Sequence, residues 1–531
     1  MSDKFLFGSP VLFGSATTPG VPIPEELGKH IPTIFQACRD FGLDFYPTIV
    51  QMLSHDEMSE IASYGGFAVR YPHWKFGAEY EEMQRGYLHG NHRIYELVIN
   101  SSPCYLYCLN SNTLLDNITV IAHALGHCHF FKNNIHFSRT NTNAHNELAN
   151  NGSNVRKYMS RYGRETVTEF MDHLFRIETL IDPVNIWRER KAKEVVIRDK
   201  KDYIYPKRIM TKQDYMENWI NTPAFIEAQN KKIEEQEIMK DLNAFGAPEP
   251  DVFGYIKDNA PFKPWQRDIA EMLYNESIYF SPQGKTKVTN EGFASYCDYH
   301  IIAKQGYASL GQETEDAGIV EYSIHKAGVL GGKYSNNPYK LGFMLLTDIE
   351  DKWDKGKFGH DYENCKDTIE KENWDLKLGL GKQKVFEVCK NYDDYQFINE
   401  FFTKEFCEKN EFFEYKRYPT GEIKIESRDH KKIKRELLRK HINRGLPNIK
   451  LVEPRFKGNM FFLEHKWEGI ELYKPYAYEV MKSICYLVRQ PVVLQTKSHN
   501  GDEAFYYCQD MNGDYSAADP KTITREYLNK L

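Results

Sequence analysis

Ile121-Ala122-His123-Ala124-Leu125-Gly126-His127-Cys128-His129-Phe130-Phe131 is an apolar stretch that carries two histidines four residues apart. On a helix, positions i and i+4 lie one above the other on the same face, so His123 and His127 can reach a single ion. Far downstream, Asn290-Glu291-Gly292-Phe293-Ala294-Ser295-Tyr296 offers a carboxylate, Glu291, on a second helical stretch. Two histidines and one glutamate leave a coordination position open for water, which is the donor set of a zinc hydrolase. One residue breaks the pattern. In His-Glu-x-x-His enzymes the residue after the first histidine is the glutamate that activates the water, and here it is Ala124.

A histidine pair on an apolar helix also occurs as ordinary core packing, and the second motif is what turns the reading towards a metal. The Asn290–Tyr296 run resembles the third-ligand helix of the gluzincin metallopeptidases, notably the aminopeptidases with an Asn-Glu-Gly-Phe-Ala run. The segment His127-Cys128-His129-Phe130-Phe131-Lys132-Asn133 is similar to the His-x-Trp-Phe-Gly-Asn that follows their histidine motif. The spacing differs, since Glu291 lies 164 residues beyond His127, far more than those peptidases use. A large insertion must therefore fit between the two helices without displacing them. The resemblance implies zinc, and the same donors also suit iron or manganese.

The bulk properties narrow the class. At 531 residues the chain has room for two or three domains, and 41% apolar with 14% aromatic residues supports sizeable cores. A net charge of −6 gives no overall attraction to nucleic acid or to anionic membranes. No apolar run reaches the length of a membrane-spanning helix, and the N-terminus lacks a basic region followed by an apolar one. The expectation is a cytoplasmic protein with no membrane span. Its ten cysteines form no paired zinc-thiolate pattern and read as reduced, packed thiols, Cys128 and Cys297 included.

The expected fold is α+β and mainly α-helical, with a gluzincin-like helical metal-site domain and a smaller C-terminal α+β module. Residues 1–28, rich in Gly, Pro, Ser and Thr, read as a flexible lead-in. Residues 29–186 read as the helical domain with the histidine helix, capped by Asp116 or Asn117 and running to about Phe131. Residues 187–250 are highly charged and read as a helical insertion or linker. Residues 251–380 carry the Glu291 helix, and 381–531 form the α+β module, with alternating segments at Glu422–Glu426 and Asn459–Leu463. The basic run Lys431, Lys432, Lys434, Arg435, Arg439, Lys440 and Arg444 surrounds Ile433, Leu437 and Leu438. Without aromatic interleaving it reads as a charged face over a packed apolar stripe rather than a nucleic-acid surface.

Longer blocks carry a second, broader resemblance. Phe41–Pro47 (Phe-Gly-Leu-Asp-Phe-Tyr-Pro), Tyr64–Phe67, Arg70-Tyr71-Pro72-His73-Trp74 and Tyr95-Glu96-Leu97-Val98-Ile99-Asn100 are similar to the stage V sporulation protein R (SpoVR) family. So are Gly126–Asn134, Asn290–Ala294 and Asn337-Pro338-Tyr339-Lys340-Leu341-Gly342-Phe343, and the likeness runs in order from about residue 30 to 515. It implies a link to spore-cortex peptidoglycan, although members also occur in bacteria that never sporulate. The implied partners are a serine protein kinase and a von Willebrand-type protein, often encoded beside such genes. The name brings no settled catalytic activity. The family often carries Asp where this chain has His129 and His where it has Asn151, and the missing glutamate at position 124 is implied to be a family trait.

Three functional readings follow. The first is a metal-dependent hydrolase of peptide or amide bonds, peptidoglycan-related material included, whose general base comes from outside the histidine helix. The second is a non-catalytic metal-holding scaffold that works with a kinase partner, and the third is a two-His, one-carboxylate iron protein. For the hydrolase, His325 and Tyr339 are the candidates that stabilise the oxyanion. Asp298, two turns after Glu291 on the same face, is the candidate that orients a ligand.

Overall fold

The computed structural model describes residues 21–88, 96–182, 184, 249–310, 314–331, 337–418, 421–457, 460–509 and 520–530. Nearly all of the charged stretch 187–250, and residues 1–20 of the lead-in, lie outside the described residues. By its contacts the chain divides into two compact units, 1–169 with 275–446, and 170–274 with 447–531. The architecture is α+β and mainly α-helical, as expected.

The first unit opens with α1 (Glu25–Asp40), which buries Leu27, Ile31, Ile34 and Phe35. Three strands interrupt a region whose sequence pattern reads as mainly helical. They are β1 (Thr48–Leu53), β2 (Glu96–Ile99) and β3 (Cys104–Leu109), in the order β1-β3-β2, with α2 (His55–Ser63) and α3 (Trp74–Leu88) between β1 and β2. β3 is central, parallel to β1 and antiparallel to β2. All six of its residues are buried, so it shows no alternation, and a short apolar run of that kind cannot be told from buried helix by periodicity.

A short connection leads from β3 into α4 (Leu114–Asn133), the histidine helix. Its cap lies three or four residues earlier than the Asp116 or Asn117 that the sequence suggested. Thr113 is the cap: its hydroxyl accepts from the Asp116 N–H while the Asp116 side chain returns to the Thr113 N–H. Every residue from Asn117 to Phe131 is buried, so α4 is a central helix covered on all sides.

After α5 (Ala144–Tyr162), α6 (Arg164–Ile177), α7 (Val252–Asn259) and α8 (Pro264–Lys285), the chain enters α9 (Lys287–Asp298), which carries the Glu291 motif. Asp394 anchors the start of α9, accepting from the Val288 and Thr289 N–H groups at 2.9 and 2.8 Å. A carboxylate there also complements the positive end of the helix. Small residues set how closely α9 packs. A Cβ on Gly126 of α4 would sit 3.0 Å from the Ala294 Cα, so the two motif helices touch at Gly126 and Ala294. On the other side, a side chain at Gly292 would overlap the backbone of Gly342 in α11 (Pro338–Lys355). Between them in sequence, α10 (Glu315–Leu330) also packs against α4.

The core of this unit gathers α1, α4, α9, α11, α12 (Gly381–Asn391) and α13 (Asp394–Phe401). After the antiparallel pair β4 (Glu414–Arg417) and β5 (Ile423–Ser427), the basic helix α14 (His430–His441) lays Ile433, Leu437 and Leu438 against this core, as the apolar stripe suggested. The second unit holds a five-stranded sheet in the order β10-β9-β8-β7-β6. Its strands are β6 (Ile449–Phe456), β7 (Met460–His465), β8 (Val492–Lys497), β9 (Glu503–Cys508) and β10 (Lys521–Ile523). β7 and β8 are parallel, and α15 (Lys474–Val488) makes the crossover such a pair requires.

Candidate metal centre

α4 presents His123 and His127 on one face, with their rings 4.8 Å apart and nearly perpendicular. α9 brings Glu291 opposite them, so the two halves of the motif meet despite their separation in sequence. Glu291 Oε2 lies 3.3 Å from His127 Nε2 and 3.8 Å from His123 Nε2. A second carboxylate enters from the sheet: Glu96 Oε1, on β2, lies 3.5 Å from His123 Nε2. Ligand atoms of Glu96, His123 and His127 all fall within 4.8 Å of one another, a cluster able to hold a metal ion.

The fit to an ion can be tested on these distances. Donors about 2.1 Å from a tetrahedral ion sit roughly 3.4 Å from each other. The separations of 3.3, 3.5 and 3.8 Å match that spacing, whereas all three are long for direct hydrogen bonds. Both Glu96 Oε2 and Glu291 Oε2 are buried without a hydrogen-bond partner. Buried carboxylate oxygens are expensive to leave unpaired, and a cation together with a water would satisfy them.

Each imidazole is held from behind, leaving Nε2 to face the cluster. His127 Nδ1 lies 2.9 Å from Asn290 Oδ1, so the residue before Glu291 orients the other ligand. His123 Nδ1 lies 2.8 Å from Asp298 Oδ2. Such outer partners fix the ring and its tautomer. Asp298 is itself anchored by α10, where Tyr322 Oη and Lys326 Nζ donate to its Oδ1 at 2.7 and 2.6 Å. Burial by itself would raise the Asp298 carboxyl, but the Lys326 ammonium and His123 hold it down at about 2.

The two carboxylates of the cluster respond in opposite directions. Burial raises the Glu96 carboxyl above its ordinary value, outweighing the attraction of His123 and His127. For Glu291 the two imidazoles win over burial and hold it well below the usual range. His123 sits among three carboxylates. Burial would lower it, yet Glu96, Asp298 and Glu291 raise it to about 10, the behaviour of a place that attracts positive charge.

Tyr339, at the start of α11, stacks its ring on His123 with centroids 6.0 Å apart. Burial together with Glu291 and Glu96 pushes its phenol well above the ordinary value, so it stays a proton donor. His325, on α10, has Nδ1 2.8 Å from Asp116 Oδ1, and Asp116 lies two turns before His123 on the same face of α4. His325 is close enough to Glu96 to lower its carboxyl.

Glu96 is the residue that motif reading did not single out, although it stands inside the quoted block Tyr95–Asn100. Ala124 belongs to the apolar core. His129 faces elsewhere and accepts the Asp44 N–H at 2.8 Å, while burial lowers it to about 4. Asn151 is buried on α5, outside the cluster. Cys128 and Cys297 are buried free thiols. Among the described residues no helix is long and apolar enough to cross a membrane.

Comparison with known proteins gives this geometry a lineage. A relative from Escherichia coli (strain K12), described only as "Uncharacterized protein YcgB", is 26% identical over 405 residues, covering 73% of this chain and 74% of its own length. No solved structure matches. The family model "SpoVR like protein" matches residues 23–446, which contain every residue of the cluster and its supports. The chain belongs to the SpoVR-like family.

Proposed function

We propose that the centre is that of a metal-dependent hydrolase of peptide or amide bonds, with Glu96 as the proton acceptor that the histidine helix lacks. The observation that carries this reading is the fourth donor. His123, His127 and Glu291 suffice to hold an ion, and Glu96 stands against the same group of atoms from a different element. Glu291 is assigned as the ligand because one oxygen lies 3.3 Å from His127 and 3.8 Å from His123, whereas Glu96 comes within 3.5 Å of His123 and within 4.8 Å of His127.

An ion held there would polarise a carbonyl and lower the pKa of a water. The remaining roles belong to the chain. Glu96, whose carboxyl is raised by burial, takes the proton from the attacking water and returns it to the leaving nitrogen. The protonated phenol of Tyr339 and the Asp116-held imidazole of His325 donate to the oxygen that gains charge. Asp298 and Asn290 act as positioning residues for His123 and His127. Zinc suits this chemistry. The same two-His, carboxylate set is also that of a non-haem iron centre, which an element analysis and a visible spectrum would distinguish.

The test is element analysis of the full chain purified without chelators, beside His123→Ala, followed by assay on mixed peptide and amide substrates. Near-stoichiometric metal lost in the variant, with metal-dependent cleavage, is the expected result. No metal in the wild type would overturn the reading. Metal without cleavage of any amide would leave the scaffold, working with a kinase partner, as the better account, and Ala124 in an apolar setting favours that alternative.

A further inference from the structure

Asp298 has a connection that motif reading does not reach. It is buried, and its two oxygens serve different neighbours. Oδ2 meets His123 Nδ1, and Oδ1 accepts from both Tyr322 Oη and Lys326 Nζ. Lys326 is itself buried and also donates to the Ser295 carbonyl on α9 at 2.7 Å, so it ties α10 to the last turn of the ligand helix. Tyr322 and Lys326 are four residues apart and share one face of α10. His127 is held differently. Its Nδ1 partner is the neutral amide of Asn290.

We propose that Tyr322 and Lys326 are positioning residues of the metal centre, acting through Asp298 to fix the orientation of the His123 imidazole. The inference rests on the metal-centre reading above. An isolated carboxylate in a buried site is costly and would turn towards whichever donors it could find. Two donors on Oδ1 fix its rotation, and only then is Oδ2 aimed at His123 Nδ1. The proposal has a definite sign. By charge alone, removing the Lys326 ammonium would strengthen the binding of a cation a short distance away. Positioning predicts the opposite, because the ring loses its alignment.

The test uses the full chain stripped of metal and titrated with Co²⁺ and Zn²⁺, reading dissociation constants by competition and the Co²⁺ visible spectrum. Lys326→Met and Tyr322→Phe are compared in the wild-type and Asp298→Asn backgrounds. The expected result is a loss of affinity of about 10–100-fold for Lys326→Met and a smaller loss for Tyr322→Phe, as for other outer-shell partners. A shifted Co²⁺ spectrum should accompany both, and both losses should shrink once Asp298 is Asn. Unchanged or tighter binding, or losses of equal size in the Asp298→Asn background, would overturn the proposal. Should Lys326→Met fail to fold, Tyr322→Phe removes one hydroxyl only and decides the matter. A wild type that binds neither ion overturns this proposal and the metal reading together. A wild type that binds while the variants match it overturns this proposal alone.

Discussion

α4 and β2 both reach the same cluster, and they do so by different physical rules. α4 is twenty residues long, buried along its length, and places two histidines by its own periodicity. β2 has four residues, only Ile99 fully buried, and delivers Glu96 through its register with β3, where Glu96 stands opposite Cys108. A slip of one residue in that pairing would turn Glu96 to the other face of the sheet. Donors that come from one helix are locally encoded, whereas a donor that comes from strand pairing depends on contacts far along the chain.

The largest effect should come from the helix. His123→Ala or His127→Ala should abolish tight metal binding, exceeding the roughly 10–100-fold that the loss of an outer partner costs. Equilibrium dialysis followed by element analysis measures it. If either variant keeps full metal content, α4 is not the ligand-bearing element and the contrast with β2 collapses.

Glu96→Gln sharpens the same contrast. Turnover should fall by about 10²–10⁴, the usual contribution of an acid–base group, while metal content changes little. Parallel measurement of kcat and bound metal checks this. Loss of the metal instead would move Glu96 into the ligand set and give β2 the same standing as α4.

Ala124→Glu asks whether the base could be restored on the helix. Ala124 lies in the apolar core, so the added carboxylate would be buried. The variant should lose about 2–4 kcal/mol of stability and gain no peptidase activity. Denaturant unfolding and a peptide assay provide the readouts. A stable variant with new activity would show that the position opens onto the site after all.

The smallest effect belongs to the second unit, which contains none of the cluster residues. His173 stacks on Tyr486 with centroids 4.0 Å apart and has Nδ1 3.1 Å from Ser483 Oγ, while burial and then Arg176 and Arg489 lower it to about 4. Its folded-state value is below its ordinary 6.5, so the unfolded chain binds the proton more readily. The stability this gives is complete above about pH 6.5 and is lost as pH falls towards 4. His173→Phe should flatten melting temperature against pH across that window, and an unchanged profile would remove His173 as the cause.

How much was legible follows the same division. His123 and His127 could be read from spacing, Glu291 from its resemblance to a known helix motif, and Asp298 from the helical interval after Glu291. Glu96 could not be read this way, since one glutamate in a short half-buried strand has no periodic signature. β3 was hidden for a related reason: a strand covered on both faces shows a continuous apolar run that also suits a buried helix. Lys326 and Tyr322 look like ordinary residues of α10 until Asp298 is placed beside them.

The sequence by itself determined the helical character, the histidine pair, the motif helix and the family, because each depends on residues close together or on blocks long enough to be specific. Tertiary structure alone decided that Gly126 and Ala294 let the two motif helices touch, that β2 turns Glu96 towards His123, and that α10 supports Asp298. The physical reason is range. Backbone periodicity acts over a few residues, whereas the charges that share this site are brought together by close packing between segments more than a hundred residues apart.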